Sequence, residues 1–374
     1  MSKRTKRVLG VTATLAAVTA ATAAVIVSSA SGTVARAGAA GAKPKVAIIT
    51  LYREPLAQQM AAGAKLAAQQ FGADFHWVGP PGLNPPAEIK LLQDEVAAGT
   101  QGIVLMMYPP ELFARPINQA IEQGVTVVTA DVGGTGSKAT THLGPGKTEL
   151  GIAEAQVLAK QLGPNAKGYI QPGICVPGLP VLVVPFKGVA ATLKRLAPGV
   201  VVKKELNVTG DPATNFIAWQ RIMTQNTDAL GFIGNCDQDA PNLIKVKKSI
   251  PGAKFVIGDT SGDSPEVLKA VKSGAMTVLI SQSGFVDGYS AMKLVLEKLV
   301  NKKALPQGWL DVGIETITKA NADSAIKVRQ QIAAGNLQAG YAYYKRAINR
   351  ALTSKPKPLA NYLTEANRSP LATP

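Results

Sequence analysis

The sequence predicts two consecutive α/β domains, each a doubly wound parallel sheet with helices on both faces. Three observations carry this expectation. From Lys45 onward, short β-rich apolar runs alternate with longer segments of helical period. The alternation completes one set by Ala130 and restarts at Glu149. At 374 residues and 46% hydrophobic content, the chain can fill two cores.

The elements follow in order. Val46 to Leu51 is a continuous apolar run, as expected of a strand buried on both faces. Leu56, Met60, Ala64 and Ala67 recur at helical spacing, and Phe75 to Val78 reads as a second strand. Pro86 to Ala98 predicts a helix stopped by Gly99, with Ile89, Leu92 and Val96 on one face, and Ile103 to Met107 a strand. A helix is expected to begin near Pro116 and end at Gly124, with proline in its first turn and glycine beyond its end. Val125 to Ala130 closes the first set.

The second set reads Glu149 to Leu162 as helix, Gly168 to Gln171 as strand and Val189 to Leu196 as helix. Val200 to Val208 is expected as a strand, Thr214 to Thr224 as a helix, Leu230 to Ile233 as a strand and Leu243 to Lys248 as a helix. Phe255 to Ile257 and Thr277 to Ser281 read as strands around a helix at Pro265 to Lys272, and Val286 to Val300 as a long helix. After Asn301 the pattern loosens. Lys355-Pro356-Lys357-Pro358 and the closing Ser-Pro-Leu-Ala-Thr-Pro suggest a poorly ordered or loosely docked tail.

Residues 1–42 stand apart. Lys3, Arg4, Lys6 and Arg7 precede an apolar stretch from Val8 to Val27, and Ala35-Arg36-Ala37 and Ala40-Gly41-Ala42 offer small-residue cleavage sites. This pattern predicts a secretory signal peptide and an exported protein, periplasmic or cell-surface. The competing expectation is a retained membrane anchor, because about 20 residues suffice to span. No cysteine lies near the cleavage region to carry a lipid. The formal charge of +16 falls to about +11 once the leader's five basic residues are removed. The remaining basic residues are dispersed and do not interleave with aromatics, so a nucleic-acid partner is not expected.

Enzyme motifs are missing. The chain has no Gly-x-Ser-x-Gly, no phosphate loop and no Gly-x-Gly-x-x-Gly. The glycine-rich Gly133 to Gly136 precedes a strand-like stretch rather than a helix. Asp237 with Asp239, and Asp259 with Asp263, are acid pairs of a kind common on loops. His76 and His142 are the only histidines and lie far apart, so no metal centre and no other cofactor is expected. Together these absences favour binding over catalysis.

Ligands of parallel α/β sheets sit beyond the carboxyl ends of the strands. The residues there are Tyr52, Arg53 and Glu54; Tyr108; Asp131; Gly173 to Pro177; Cys236 and Asp237; Asp259 and Thr260; and Gln282 and Ser283. Aromatic rings mixed with carboxylates and an amide suit a sugar, which needs flat faces for CH groups and planar acceptors for hydroxyls.

At these residues the chain resembles the type I periplasmic solute-binding proteins, in their ribose- and galactose-like branch. Two stretches carry the resemblance: AEIKLLQDEVAAGTQGIVLMMYPPELFARPINQAIEQGVTVVTADV, from Ala87, and KFVIGDTSGDSPEVLKAVKSGAMTVLISQSGFVDGYSAM, from Lys254. The resemblance implies a non-enzymatic substrate-binding component of an ABC importer, monomeric, closing two lobes on a monosaccharide and then meeting a membrane permease. A ligand receptor feeding a sensor kinase, or an autoinducer-type binding protein, is the alternative. It implies an N-terminal lobe of 44–143 plus 283–312, a C-terminal lobe of 144–282 plus 313–340, and a tail over 341–374. Asp131, Asp259 and Gln282 would bond ligand hydroxyls, Asp237 stands at an Asn-Asp position, and Tyr52, Arg53 and Glu54 form the loop that usually supplies an aromatic wall. Tyr108 and Phe186 complete the expected ligand-binding set.

The sequence also departs from that family. Pro185 stands where an arginine commonly clamps hydroxyls, Cys236 aligns with the Asn of the Asn-Asp pair, and Pro145-Gly146-Lys147 replaces an Asp-Asn at the entry to the second lobe. An ionised hydrogen bond contributes ~1.5–3 kcal/mol, so loss of the arginine bears on which sugar is bound. Cys175 and Cys236 each follow a strand of the second lobe, and in the strand order 2-1-3-4-5 those strands are neighbours. They are therefore expected as one disulfide at the binding edge, or else as two buried thiols.

Overall fold

The computed structural model describes residues 43–133 and 136–364, so the leader lies outside the described residues. In chain order the first elements are β1 (Lys45–Ile49), α1 (Pro55–Gln70), β2 (Asp74–Val78), α2 (Pro85–Ala97), β3 (Gly102–Leu105), α3 (Pro110–Glu122), β4 (Thr126–Ala130) and β5 (Thr141–Gly144). The second series is α4 (Lys147–Leu162), β6 (Gly168–Ile174), α5 (Pro180–Leu196), β7 (Val200–Val202), β8 (Leu206–Asn207), α6 (Pro212–Gln225) and β9 (Gly231–Gly234). It continues through α7 (Asp239–Ser249), β10 (Val256–Asp259), α8 (Pro265–Ser273) and β11 (Val278–Ser281). The chain ends with α9 (Gly284–Asn301), β12 (Gly308–Asp311), β13 (Glu315–Ile317), α10 (Ala322–Ala333), α11 (Leu337–Thr353) and α12 (Asn361–Thr364).

These elements form two α/β lobes. One sheet has the order β12-β5-β4-β3-β1-β2, with every pairing parallel. The other runs β13-β11-β10-β9-β6-β7, parallel except where β13 meets β11. Counted within each lobe, both follow the 2-1-3-4-5 order, so the carboxyl ends of the central strands of each sheet line one edge. The chain crosses between lobes three times: between β5 and α4, between β11 and α9, and between β12 and β13.

The apolar runs become strands because both faces of each sheet are covered. Val46, Ile48, Val104, Met106 and Val128 pack under α1 and α9, whereas Ile49, Ile103, Leu105 and Val127 face Leu92 of α2 and Phe113 and Ile117 of α3. That alternation is the period-two geometry of a strand. Helix starts are set by a repeated local signal, a capping residue followed by proline. Asn84, Asp211 and Ser264 each accept the backbone N–H three residues on, and Pro85, Pro212 and Pro265 occupy the first helical turn.

Several boundaries differ from the sequence expectation. Helix α3 begins at Pro110, not near Pro116, which lies inside it, because Phe113 upstream joins Ile117 and Ala120 on the buried face. Helix α5 likewise begins at Pro180, well before Val189, and contains Pro185. The expected strand over Val200 to Val208 is two short pieces, β7 and β8, both paired with β6. Of the stretch expected as a tail, residues 365–374 lie outside the described residues, and the part before them is docked. Residues from Leu337 to Thr353 form α11, which packs on α1 and α9. Beyond it Lys357 exchanges backbone hydrogen bonds with Trp309, and Tyr362 is buried.

Candidate functional site

A cavity of about 280 Å³ opens where the strand ends of the two lobes face one another, near the lower end of the roughly 300–1,000 Å³ typical of small-molecule sites. Tyr52, Glu54, Tyr108 and Asp131 reach it from the first lobe, and Asn235, Asp237, Thr260 and Ser261 from the second. Gln282, at the second crossing, completes the polar wall. Leu51, Leu56, Val132, Val176, Leu179 and Leu182 supply much of the remainder, so a few polar groups are set in apolar surroundings.

Lys147 organises the hinge side of this cavity. It lies at the start of α4, and its Nζ donates to Asp131 Oδ1 at 2.7 Å and to Gln282 Oε1 at 2.6 Å. Only 3% of its side chain is exposed, and the figure for Asp131 is 4%. Asp131 holds a positive φ of 53° at the end of β4, and its backbone carbonyl accepts the Tyr362 hydroxyl. The Gln282 amide also donates to the Thr260 carbonyl at 3.1 Å, tying the crossing to the second lobe.

The opposite end of the cavity is acidic. Glu54 is the N-cap residue of α1, but its side chain makes no capping bond and faces the cavity with Asp237. Asp237 Oδ1 also accepts Ser261 Oγ at 2.8 Å. Burial, then the Glu54 charge, pushes the Asp237 carboxyl up to about 7, and burial raises Glu54 as well. Burial and the charges of Asp237, Asp131 and Glu54 hold the Tyr52 hydroxyl well above its ordinary range, so the phenol stays neutral beside them.

Cys175 and Cys236 form a disulfide, with Cα atoms 6.3 Å apart, and both line the cavity. The bridge joins the ends of the neighbouring strands β6 and β9. Nearby, Asp239 accepts the N–H groups of Asn235 and Cys236 together with the side chains of Asn215 and Trp219, fixing the loop that carries Asp237.

Six of the nine residues expected to contact ligand line this cavity: Tyr52, Glu54, Tyr108, Asp131, Asp237 and Gln282. Three are placed elsewhere. Asp259 is fully buried beneath the site, where Oδ1 accepts the Ser261 N–H at 2.6 Å, the turn-forming role aspartate favours. Phe186 turns into the core beneath α5. Arg53 points away, donating to the Gly79 carbonyl at 2.8 Å with its guanidinium 5.7 Å from the Trp77 ring centroid. Sequence reasoning missed Lys147 as a site residue, although it is the last residue of the Pro-Gly-Lys that departs from the family pattern. Among the described residues, no three His, Cys, Asp or Glu side chains converge as metal ligands.

Two lobes in 2-1-3-4-5 order, three crossings and a cleft between facing strand ends define a type I binding-protein fold. The chain belongs to the family described as periplasmic binding protein domain, whose pattern matches residues 46–303. Among curated proteins none matches it significantly by sequence. Solved structures similar in fold include an arabinose-binding protein from Geobacillus stearothermophilus, at 20% identity and TM-score 0.66, covering 75% of this chain and 98% of that one. A solute-binding protein from Burkholderia graminis in complex with D-arabinose matches at 21% identity and TM-score 0.67, with 75% and 98% coverage. One from Actinobacillus succinogenes with bound D-allose matches at 19% identity and TM-score 0.68, with 75% and 100% coverage.

Proposed function

We propose that this chain is the exported, monomeric substrate-binding component of an ABC importer, holding one monosaccharide-sized polar ligand between its lobes. The observation that carries the reading is a cavity to which strand ends of both lobes contribute polar side chains. A ligand that touches Tyr52, Tyr108 and Asp131 on one side and Asn235 and Asp237 on the other stabilises the closed arrangement, because only that arrangement offers both sets of contacts. Tyr52 and Tyr108 offer flat faces, and Asp131 and Gln282 offer acceptors beside Lys147. The similar folds that bind arabinose and allose support a sugar as the class of ligand. The closed form would then present both lobes to a membrane permease. The absence of nucleophile and nucleotide motifs supports binding without turnover.

A thermal-shift screen of the mature chain against pentoses, hexoses, deoxysugars, polyols and amino acids tests this. At least one compound should raise the melting temperature, and Gln282→Ala should weaken its binding by about tenfold or more. No shift from any compound, or a shift indifferent to Gln282→Ala, rejects the cleft as the site.

A further inference from the structure

We propose that the ligand carries a protonated amino group, seated between Glu54 and Asp237 with Tyr52 beside it. The inference rests on the reading of the cleft as the ligand site and adds the chemical class of its occupant. Glu54 comes from the first lobe and Asp237 from the second, and both line the cavity. Their carboxyl groups lie close enough that the Glu54 charge helps to push the Asp237 carboxyl up.

A structural acid pair would find a cation; among the described residues neither of these carboxylates pairs with a lysine or arginine, whose buried ion pairs go to Asp131, Asp263 and Glu315. The cavity's lysine, Lys147, is taken up by Asp131 and Gln282. Glu54 forgoes the capping position its place in the chain offers. Ser261 is the one further side-chain donor to Asp237, and it leaves the charge uncompensated. An ammonium group supplies the compensating charge. Its three donors can reach both carboxylates at once, and the charge-assisted bonds so formed are the stronger kind. The Tyr52 ring offers a face of the sort that attracts cations. Because the two carboxylates belong to different lobes, one ammonium ion would also bind the lobes together. The apolar wall then accommodates a compact body with few polar groups besides the amine and those that meet Asp131 and Gln282.

Calorimetric titration at pH 7 with matched pairs differing only in an amino group for a hydroxyl tests the assignment. The pairs are D-glucosamine and D-glucose, D-galactosamine and D-galactose, and cyclohexylamine and cyclohexanol. In at least one pair the amine should bind about tenfold or more tightly than its partner, and Glu54→Gln and Asp237→Asn should each remove that advantage. Neutral members that bind as tightly as their amines overturn the inference while leaving the cleft reading intact. So does an amine preference that both variants retain, or a calcium ion that binds in competition with the amines and is itself lost in both variants. No binding by any of the six compounds overturns the inference too; the cleft reading is then decided by its own wider screen.

Discussion

Lys147 and Asp131 show why part of the site was hidden in the sequence. Asp131 was legible because it follows a strand, and strand ends in such sheets meet ligands. Lys147 was not, because a lysine opening a helix is ordinarily a solvated side chain; only the fold buries it against two acceptors. Buried pairs of this kind are costly to break from one side, typically ~3–5 kcal/mol, since an uncompensated charge remains. Lys147→Met should therefore lower unfolding stability by about that amount, and adding Asp131→Asn should recover much of the loss, as measured by denaturant melts. Equal stability of Lys147→Met and the parent would mean the pair carries no weight. Asp237 makes the opposite kind of contribution. Its folded-state value of about 7 lies above the ordinary carboxylate range, so the folded state binds the extra proton. Its favourable contribution is present at low pH and is lost as pH rises from ~4 through about 7. Asp237→Asn should accordingly raise the ligand-free melting temperature more at pH 8 than at pH 4. A constant difference across that range would contradict the raised value. The same three residues that sequence reasoning put in the cleft but the fold did not, Arg53, Phe186 and Asp259, lie close to it in sequence. Position after a strand locates a loop, whereas side-chain direction depends on packing partners that no local pattern records.

At the scale of elements, the alternation of strands and helices was readable because the central strands β1, β3, β9 and β11 are apolar and buried, and the helices between them bury one face. Prolines misled the boundaries. Pro116 and Pro185 both lie inside helices, each with another proline at or near the true start, Pro110 and Pro180. A proline disfavours a helix interior by ~3 kcal/mol, and here packing of the whole helix overrides that local cost. The helix pairs α1–α9 and α4–α5, each packed on one of the sheets, depend on a second local feature, paired glycines. A Cβ on Gly63 of α1 would lie 2.1 Å from the Phe285 carbonyl oxygen, and one on Gly288 of α9 would lie 1.9 Å from that of Met60. In the second lobe, Gly151 of α4 and Gly188 of α5 would meet the carbonyl oxygens of Pro185 and Thr148 at 1.8 Å and 2.6 Å. Backbone on both sides leaves no flexible atom to yield. Gly288→Ala should force α1 and α9 apart and cost ~1–3 kcal/mol, read as a lower denaturant midpoint. A midpoint unchanged within error would show that the helices separate freely.

At the scale of the whole molecule, the lobes also meet through side chains away from the three crossings. Gln59 of α1, in the first lobe, donates its side-chain amide to Asp263 in the loop after β10 of the second. Asp263 is held there by Arg329 of α10, at 2.7 Å, and by Ser281 Oγ at 2.8 Å. Arg329 also bonds Glu315 at 2.8 Å, so the acceptor that receives Gln59 is braced on the second lobe before the lobes meet. This latch needs no ligand, so under the proposed closing motion it would raise the population of the closed arrangement in the free protein. Apparent affinity scales with the fraction of molecules that are binding-competent. Gln59→Ala removes the donor while leaving the Arg329–Asp263 pair in place. The ligand-free variant should thus scatter X-rays with a larger radius of gyration than the parent, and the liganded forms should match. Its ligand affinity should fall by the factor by which the closed population falls, roughly fivefold to tenfold if the bond contributes ~1–1.5 kcal/mol. An unchanged radius in the free protein would mean that the hinge itself, through Lys147 and the three crossings, holds the lobes together without the latch.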